Sequence, residues 1–309
     1  MSLALVFPGQ GSQTVGMGRL LADAYPQARA VFEEVDEALG ERLSATIFEG
    51  PEETLTLTAN AQPALMAVSL AALRSMESRG FDLSRAAFVA GHSLGEYSAL
   101  AAAGSLSVAD TARLLRVRGE AMQAAVPAGE GAMAAIIGLE AEALAALCEE
   151  AAEGSVCQIA NDNGGGQLVI SGKKAAVERA MALASARGAK RAIALPVSAP
   201  FHSALMQPAA ERMAEALREA RIAAPKVPLV ANVLAAPIED PEDIRARLVE
   251  QVTGRVRWRE SMSFLADEGV SELLEIGSGK VLAGLAKRID KRLSARSVGT
   301  PADIDAALA

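Results

Sequence analysis

Residues 86–104 hold the segment that most restricts what this chain can fold into. An apolar run at 86–90 leads into Gly91-His92-Ser93-Leu94-Gly95, and a helix-forming run at 96–103 follows, stopping at Gly104. The central five residues match G-x-S-x-G, a tight turn that presents a serine between a strand and a helix. A serine in such a turn has strained dihedrals, and side chains on either side would clash. The two glycines remove that clash and let the hydroxyl project at the head of a sheet. A strand running directly into a helix is the repeating unit of a parallel sheet covered by helices.

The remaining pattern agrees with an α/β fold. A short buried strand is predicted at 3–7, and helices at 17–25, 27–39, 60–79, 93–103 and 107–126. Ser107 and Asp110 suit a variant of the capping box at the start of the last of these. The middle reads differently: strand 133–137, helix 140–153, strands 156–160 and 167–171 joined by a turn at 161–166, helix 174–187, strand 191–195. That order, βαββαβ, is the ferredoxin-like unit. The first pattern then returns, with helices at 204–220, 241–251, 258–268 and 279–289 and strands at 228–231 and 272–276. The expectation is a large α/β-hydrolase-like domain of residues 1–127 and 198–309, interrupted by a ferredoxin-like small domain at 128–197.

Composition narrows the function classes. Of 309 residues, 51% are hydrophobic but only 3% aromatic, so Ala, Leu, Val and Met must fill the core. The net charge of −8, with no long basic run, argues against nucleic acid as a partner. Cys148 and Cys157 are not a CxxC pair, and with two histidines in the chain no metal set can be assembled. Two free thiols fit a reducing cytoplasm. The apolar start lacks a basic region and runs into Pro8-Gly9, which reads as a strand rather than a signal peptide. No apolar stretch is long enough to span a membrane.

A nucleophilic serine needs a base, and only His92 and His202 are available. His92 directly precedes Ser93, so on a tight turn it points away and supports the elbow. His202, in Ala199-Pro-Phe-His202-Ser203, is the remaining imidazole. Alone it could be a buried structural histidine, but beside an elbow with no rival base it is the better general base. Its other nitrogen needs a partner, and an acid, an amide or a backbone carbonyl would each serve. Gly9-Gln10-Gly11 and Gly277-Ser-Gly-Lys280 are weak as phosphate motifs. The first reads as a loop at the carboxyl end of a strand, with N–H groups able to face a ligand.

On the helix predicted at 107–126, Leu115, Met122 and Val126 line one face and Arg118 falls among them, with Gly119 leaving space beside it. Arg113, Arg116 and Glu120 fall on the opposite, solvated face. A core-facing guanidinium is costly unless paired. Its partner is an internal carboxylate, its stem snorkels outward, or it is a receptor for a substrate anion.

Together these residues resemble the malonyl-CoA:acyl carrier protein transacylase family over nearly the whole chain. The marks are Phe7-Pro-Gly-Gln-Gly-Ser-Gln13, Gly91-His-Ser-Leu-Gly-Glu-Tyr-Ser98, Arg118-Gly119 with Gln123, Asn161 with Gly166-Gln167, Pro200-Phe-His202, Glu250-Gln251, and Gly277 with Gly279-Lys-Val-Leu282. The resemblance implies that Ser93 is the nucleophile, His202 its base, and Gln251 the residue whose carbonyl orients the imidazole. It implies an oxyanion hole from the N–H groups of Gln10 and Leu94, and Arg118 as receptor for the malonyl carboxylate, with Met122 and Phe201 as further substrate-binding residues. A bulky Phe201 implies preference for malonyl over methylmalonyl. No cofactor is expected, because coenzyme A arrives as the substrate thioester. The implied partners are malonyl-CoA and an acidic acyl carrier protein, the latter drawn to Lys190-Arg191 or to Lys287-Arg288 with Lys291-Arg292, and the chain is expected to be a cytoplasmic monomer. Two departures are mild: Asn161-Asp-Asn-Gly-Gly165 replaces a turn that often carries Ser-Pro, and Ser278 stands where proline is frequent. A polyketide-serving acyltransferase, a serine esterase or patatin-like hydrolase, and an inactive binding homologue are the competing readings.

Overall fold

Every odd-numbered residue of the first strand, β1 (Ser2–Phe7), packs on one side of a sheet, and Ala4 and Val6 pack on the other. This period of two explains why the strand is apolar throughout: both faces are covered. The computed structural model describes residues 2–197 and 199–309. Nine further strands follow: β2 (Ala86–Gly91), β3 (Gly131–Ile137), β4 (Cys157–Asp162), β5 (Gln167–Lys173), β6 (Arg191–Ala194), β7 (Leu229–Ala231), β8 (Ala236–Ile238), β9 (Val270–Ile276) and β10 (Ser294–Val298). They form a six-stranded sheet ordered β10-β9-β1-β2-β7-β8 and a four-stranded sheet ordered β4-β5-β3-β6. The larger sheet is parallel except for the β7–β8 pair. Every pairing in the smaller one is antiparallel.

Helix Thr58–Ser78 is buried on nearly all sides, lying against helices Pro26–Leu39 and Val108–Ala124. With helices Gln207–Glu219 and Pro241–Thr253 these build the main core on one face of the larger sheet. Trp258, Met262, Leu265, Leu282 and Leu285 cover the other face. Helices Ala141–Ala152 and Lys174–Ala186 share a separate core with the smaller sheet. The smaller sheet is tied to the larger part by the Asp162 N–H donating to Val256 O (2.9 Å), the Val256 N–H donating to Ala160 O (2.8 Å), and the Arg259–Asp162 ion pair at 2.9 Å.

Several elements lie outside the sequence expectation. Helices Leu43–Glu49, Glu52–Thr56 and Pro301–Leu308 and strands β8 and β10 carried no clear pattern. β10 is an edge strand with only Val298 fully buried, so it lacks an apolar run. The region expected as one helix from residue 204 opens as a 3₁₀ turn, Ala204–Met206. At Ser107 half of the expected capping box forms. The Asp110 N–H donates to the Ser107 hydroxyl oxygen (3.0 Å), but the Asp110 carboxylate accepts from that hydroxyl (2.8 Å) and not from backbone.

Candidate active site

β2 ends at Gly91 and the next helix begins at Gly95, so Ser93 sits on a three-residue corner with φ of 55°. Both glycines are required by contact. A Cβ on Gly91 would lie 1.9 Å from the Gly95 carbonyl, and one on Gly95 would lie 2.3 Å from Phe7 O. The strained corner is clamped on both sides. Asn232, just after β7, donates from Nδ2 to Gly91 O (2.7 Å) and accepts at Oδ1 from the Ser93 N–H (2.8 Å). Gln251 Nε2 donates to Ser93 O (2.9 Å).

The Ser93 hydroxyl lies 2.7 Å from His202 Nε2. His202 Nδ1–H donates to the main-chain carbonyls of Gln251 (2.8 Å) and Gly254 (3.1 Å), which leaves Nε2 as the acceptor for the serine proton. The partner left open by the sequence is thus backbone, and the Gln251 side chain is engaged elsewhere. Burial, and then the charge of Arg118, lower the His202 pKa to about 3, so the resting imidazole is neutral. His92 turns away from Ser93 as expected. Its Nε2 pairs with Asn163 Oδ1 (2.8 Å), and its ring lies 5.5 Å from that of Trp258.

Arg118 is 1% exposed. Nη1 donates to Gln62 Oε1 (2.8 Å), and Nη2 to Gln251 Oε1 (2.7 Å) and Ser93 Oγ (3.1 Å). Its guanidinium carbon is 5.7 Å from the Tyr97 ring centroid. Among the described residues no carboxylate lies within ion-pair distance of it, so neither a structural ion pair nor a snorkelling stem describes it. Two neutral amides and a hydroxyl take up Nη1 and Nη2, Nε finds no partner among the described residues, and the charge is uncompensated at contact range. Two expectations on this helix are corrected. Gly119 does not make room for Arg118, since its Cβ would lie 2.6 Å from Ala59 Cα on the adjacent helix, so it is a helix-contact glycine. Arg116 is not freely solvated but half-buried, donating to Asn60 Oδ1 (2.5 Å) and pairing with Glu41. Arg113 and Glu120 are exposed as expected.

Gln10, Leu94, Met122 and Phe201 line one cavity of about 250 Å³ with Ser93, His202 and Arg118. The N–H groups of Gln10 and Leu94 make no hydrogen bond among the described residues. Met122 Sδ lies 3.7 Å from Gln62 Nε2, which turns the Gln62 carbonyl toward Arg118. Gln251 lies behind the cavity rather than in its wall. The Gly277–Lys280 loop is no phosphate cradle, because the Glu275 carboxylate already accepts from the N–H groups of Leu282 (3.1 Å) and Ala283 (2.8 Å).

Sequence reasoning missed Gln62 and Asn232, and quoted Glu96 only within the elbow motif without giving it a role. Each left a faint signal. Gln62 and Glu96 are polar in runs that are otherwise buried and apolar, and Asn232 follows a strand at the end of the sheet where site loops gather.

The chain is similar to known proteins over nearly its whole length. The acyl transferase domain model matches residues 4–288. A malonyl CoA-acyl carrier protein transacylase of Bacillus subtilis (strain 168) is 50% identical over 307 residues, covering 99% of this chain and 96% of the relative. The crystal structure of an acyl-carrier-protein S-malonyltransferase from Bartonella henselae superposes with a TM-score of 0.98 at 62% identity, covering 100% of this chain and 98% of that one. A malonyl-transacylase in complex with its type II polyketide-synthase acyl carrier protein matches with a TM-score of 0.97 at 46% identity, covering 100% and 99%. A family model spanning most of the chain, and relatives matched end to end at this identity, make the chain a member of the malonyl-CoA:acyl carrier protein transacylase family of acyltransferases.

Proposed function

We propose that this acyltransferase moves a malonyl group from malonyl-CoA to the phosphopantetheine thiol of an acyl carrier protein through an ester on Ser93. The observation that carries the reading is a neutral Ser93–His202 pair in one cavity with a buried arginine that, among the described residues, no carboxylate contacts. His202 takes the serine proton as Oγ attacks the thioester carbonyl. The N–H groups of Gln10 and Leu94 hold the resulting oxyanion, and His202 returns the proton to the departing thiolate of CoA. The carrier thiol then repeats the steps in reverse. Arg118 holds the malonyl carboxylate, with Met122 and Phe201 bounding the acyl group. A carboxylate on Arg118 also offsets the positive field that depresses His202, so the charged substrate favours the imidazolium needed during attack.

The βαββαβ order and the strand order β4-β5-β3-β6 support a ferredoxin-like small domain at 128–197, inserted into a large domain of 1–127 and 198–309. The proposed chemistry calls on no cofactor. For the carrier, Lys190-Arg191 and Lys287-Arg288 form the better docking pair. All four are exposed. Lys190 lies over Gly138 and Arg288 over Gly165, while the Gly138 N–H donates to Gly166 O, so one glycine turn links the two clusters. Arg292 is already paired with Asp267 and Asp290. Fatty-acid synthesis is our first reading of the pathway. The likeness to a polyketide-synthase transacylase keeps that pathway as the second reading, and the neighbouring genes separate the two.

Intact-mass measurement after mixing with malonyl-CoA tests the core of the proposal. A malonyl adduct is expected on the parent protein and none on Ser93→Ala. An unmodified parent, or an adduct that survives the substitution, rejects Ser93 as the carrier of the acyl group.

A further inference from the structure

One carboxyl in the buried network is left unused by this chemistry. Glu96, in the first turn of helix Gly95–Ala102, is 1% exposed. Its Oε2 accepts from Gln251 Nε2 (2.7 Å) and from the Asn232 N–H (3.3 Å), whereas Oε1 has no hydrogen-bond partner among the described residues. The same Gln251 amide accepts at Oε1 from Arg118 Nη2 (2.7 Å). A single neutral amide therefore stands between a buried carboxyl and a buried guanidinium. Because both Gln251 N–H groups are taken, by Glu96 and by Ser93 O, its oxygen can face only Arg118.

The charge count of this enclosure is simple. The free site holds one cation, Arg118, and one carboxyl able to balance it. Glu96 pulls the Arg118 pKa up and Arg118 pulls that of Glu96 down, each against its own burial. The other titratable group that interacts with both is Tyr97, on the same helix as Glu96; Gln251 and Asn232, from the helix and loop packed against Glu96, are neutral. His92 and His202 are both held neutral by burial. A second carboxylate brought to Arg118 would leave two negative charges facing one positive charge, which is unfavourable where water is excluded.

We propose that Glu96 is the resting counter-charge of Arg118 and takes up a proton from solvent when the carboxylate of an acyl group docks on Arg118. The inference rests on Arg118 being the acyl-carboxylate receptor. Oε1 is the free atom that receives the proton, while Oε2 keeps its bond from Gln251. Burial already pushes the Glu96 pKa up to about 7, and a second carboxylate on Arg118 pushes it further up. Glu96 touches no reacting atom and is a positioning residue acting through Gln251. An acetyl group brings no charge and moves no proton.

The test is calorimetric titration of Ser93→Ala with malonyl-CoA in buffers of different ionisation heat, with acetyl-CoA as control for the phosphates of coenzyme A. The expected excess uptake is about half a proton per site at pH 7, rising toward one at pH 8. It should vanish in Ser93→Ala/Glu96→Gln. Excess uptake that persists without Glu96, or its absence while binding still depends on Arg118, overturns the proposal. If Ser93→Ala/Arg118→Ala binds malonyl-CoA as well as Ser93→Ala does, the receptor reading has failed and this inference falls with it. A readout without substitution guards against misfolding of the Glu96 variant. Infrared difference spectra of the parent protein should gain a protonated-carboxyl band on malonyl loading and none on acetyl loading, and a missing band counts equally against the idea.

Discussion

Replacing Arg118 by alanine removes a charge while leaving the nucleophile and the base in place, although Ser93 Oγ loses one donor. In the parent protein the guanidinium is held by Gln62, Gln251 and Ser93 at 2.7–3.1 Å and is almost fully buried, so a malonyl carboxylate would meet a fixed, desolvated fork. Truncating one partner of such a buried charged pair costs about 2–5 kcal/mol. At about 1.4 kcal/mol per tenfold, kcat/KM for malonyl-CoA should fall about 30- to 4,000-fold. Acetyl-CoA forms no such pair. Its loss should stay within a few-fold, and a gain is reasonable because the charge that depresses His202 is also gone. The assay is transfer from each thioester to a common thiol, parent against variant, with melting temperature recorded alongside. Gln62 Oε1 and Gln251 Oε1 lose a donor, so some destabilisation is expected, but it weighs equally on both substrates. A proportionate loss for malonyl-CoA and acetyl-CoA would mean that Arg118 is structural and that the receptor lies elsewhere.

Three more outcomes follow from the geometry. Gly95→Ala puts a Cβ 2.3 Å from Phe7 O, so the elbow helix must shift from β1; transfer should drop by about 100-fold or more with a lower melting temperature, and near-parent activity would contradict the contact. Phe201 borders the acyl cavity, and Phe201→Ser should shift the methylmalonyl-to-malonyl ratio of kcat/KM upward by about 10- to 200-fold; an unchanged ratio removes Phe201 from the selectivity wall. His202 is neutral in the fold with a pKa of about 3 against an ordinary 6.5, so the unfolded chain binds the extra proton and stability is lost as pH falls below 6.5. Urea unfolding should show a loss between pH 6.5 and 5 that is about 1.7 kcal/mol larger in the parent than in His202→Asn, and equal slopes in the two proteins would refute the buried neutral imidazole.

The parts of the site that the sequence disclosed are those where chemistry forbids alternatives. Two glycines around Ser93 meant a corner, two histidines in the chain left one base, and an arginine among leucines meant an internal charge. What stayed hidden depends on distant segments meeting. Asn232 lies 139 residues from the Ser93 N–H it holds, and Gln251 lies 133 residues from Arg118. No local pattern marks an amide as a clamp. The same limit applied to architecture: strands buried on both faces stood out, while β10, with one fully buried residue at an edge, did not. Gly119 was rightly seen as spatially informative but was assigned to the wrong neighbour, because helix periodicity gives the face and not the element opposite.

That glycine sets a mechanical tolerance for chemistry performed elsewhere. Gln62 and Arg118 reach the acyl cavity from two different helices, and the bond between them is only as good as the distance between the helix axes. At position 119 that distance is fixed by backbone against backbone, with no side chain to give way. Anything that wedges the two helices apart by one methyl group therefore detunes substrate choice from outside the pocket, with every lining residue still in place.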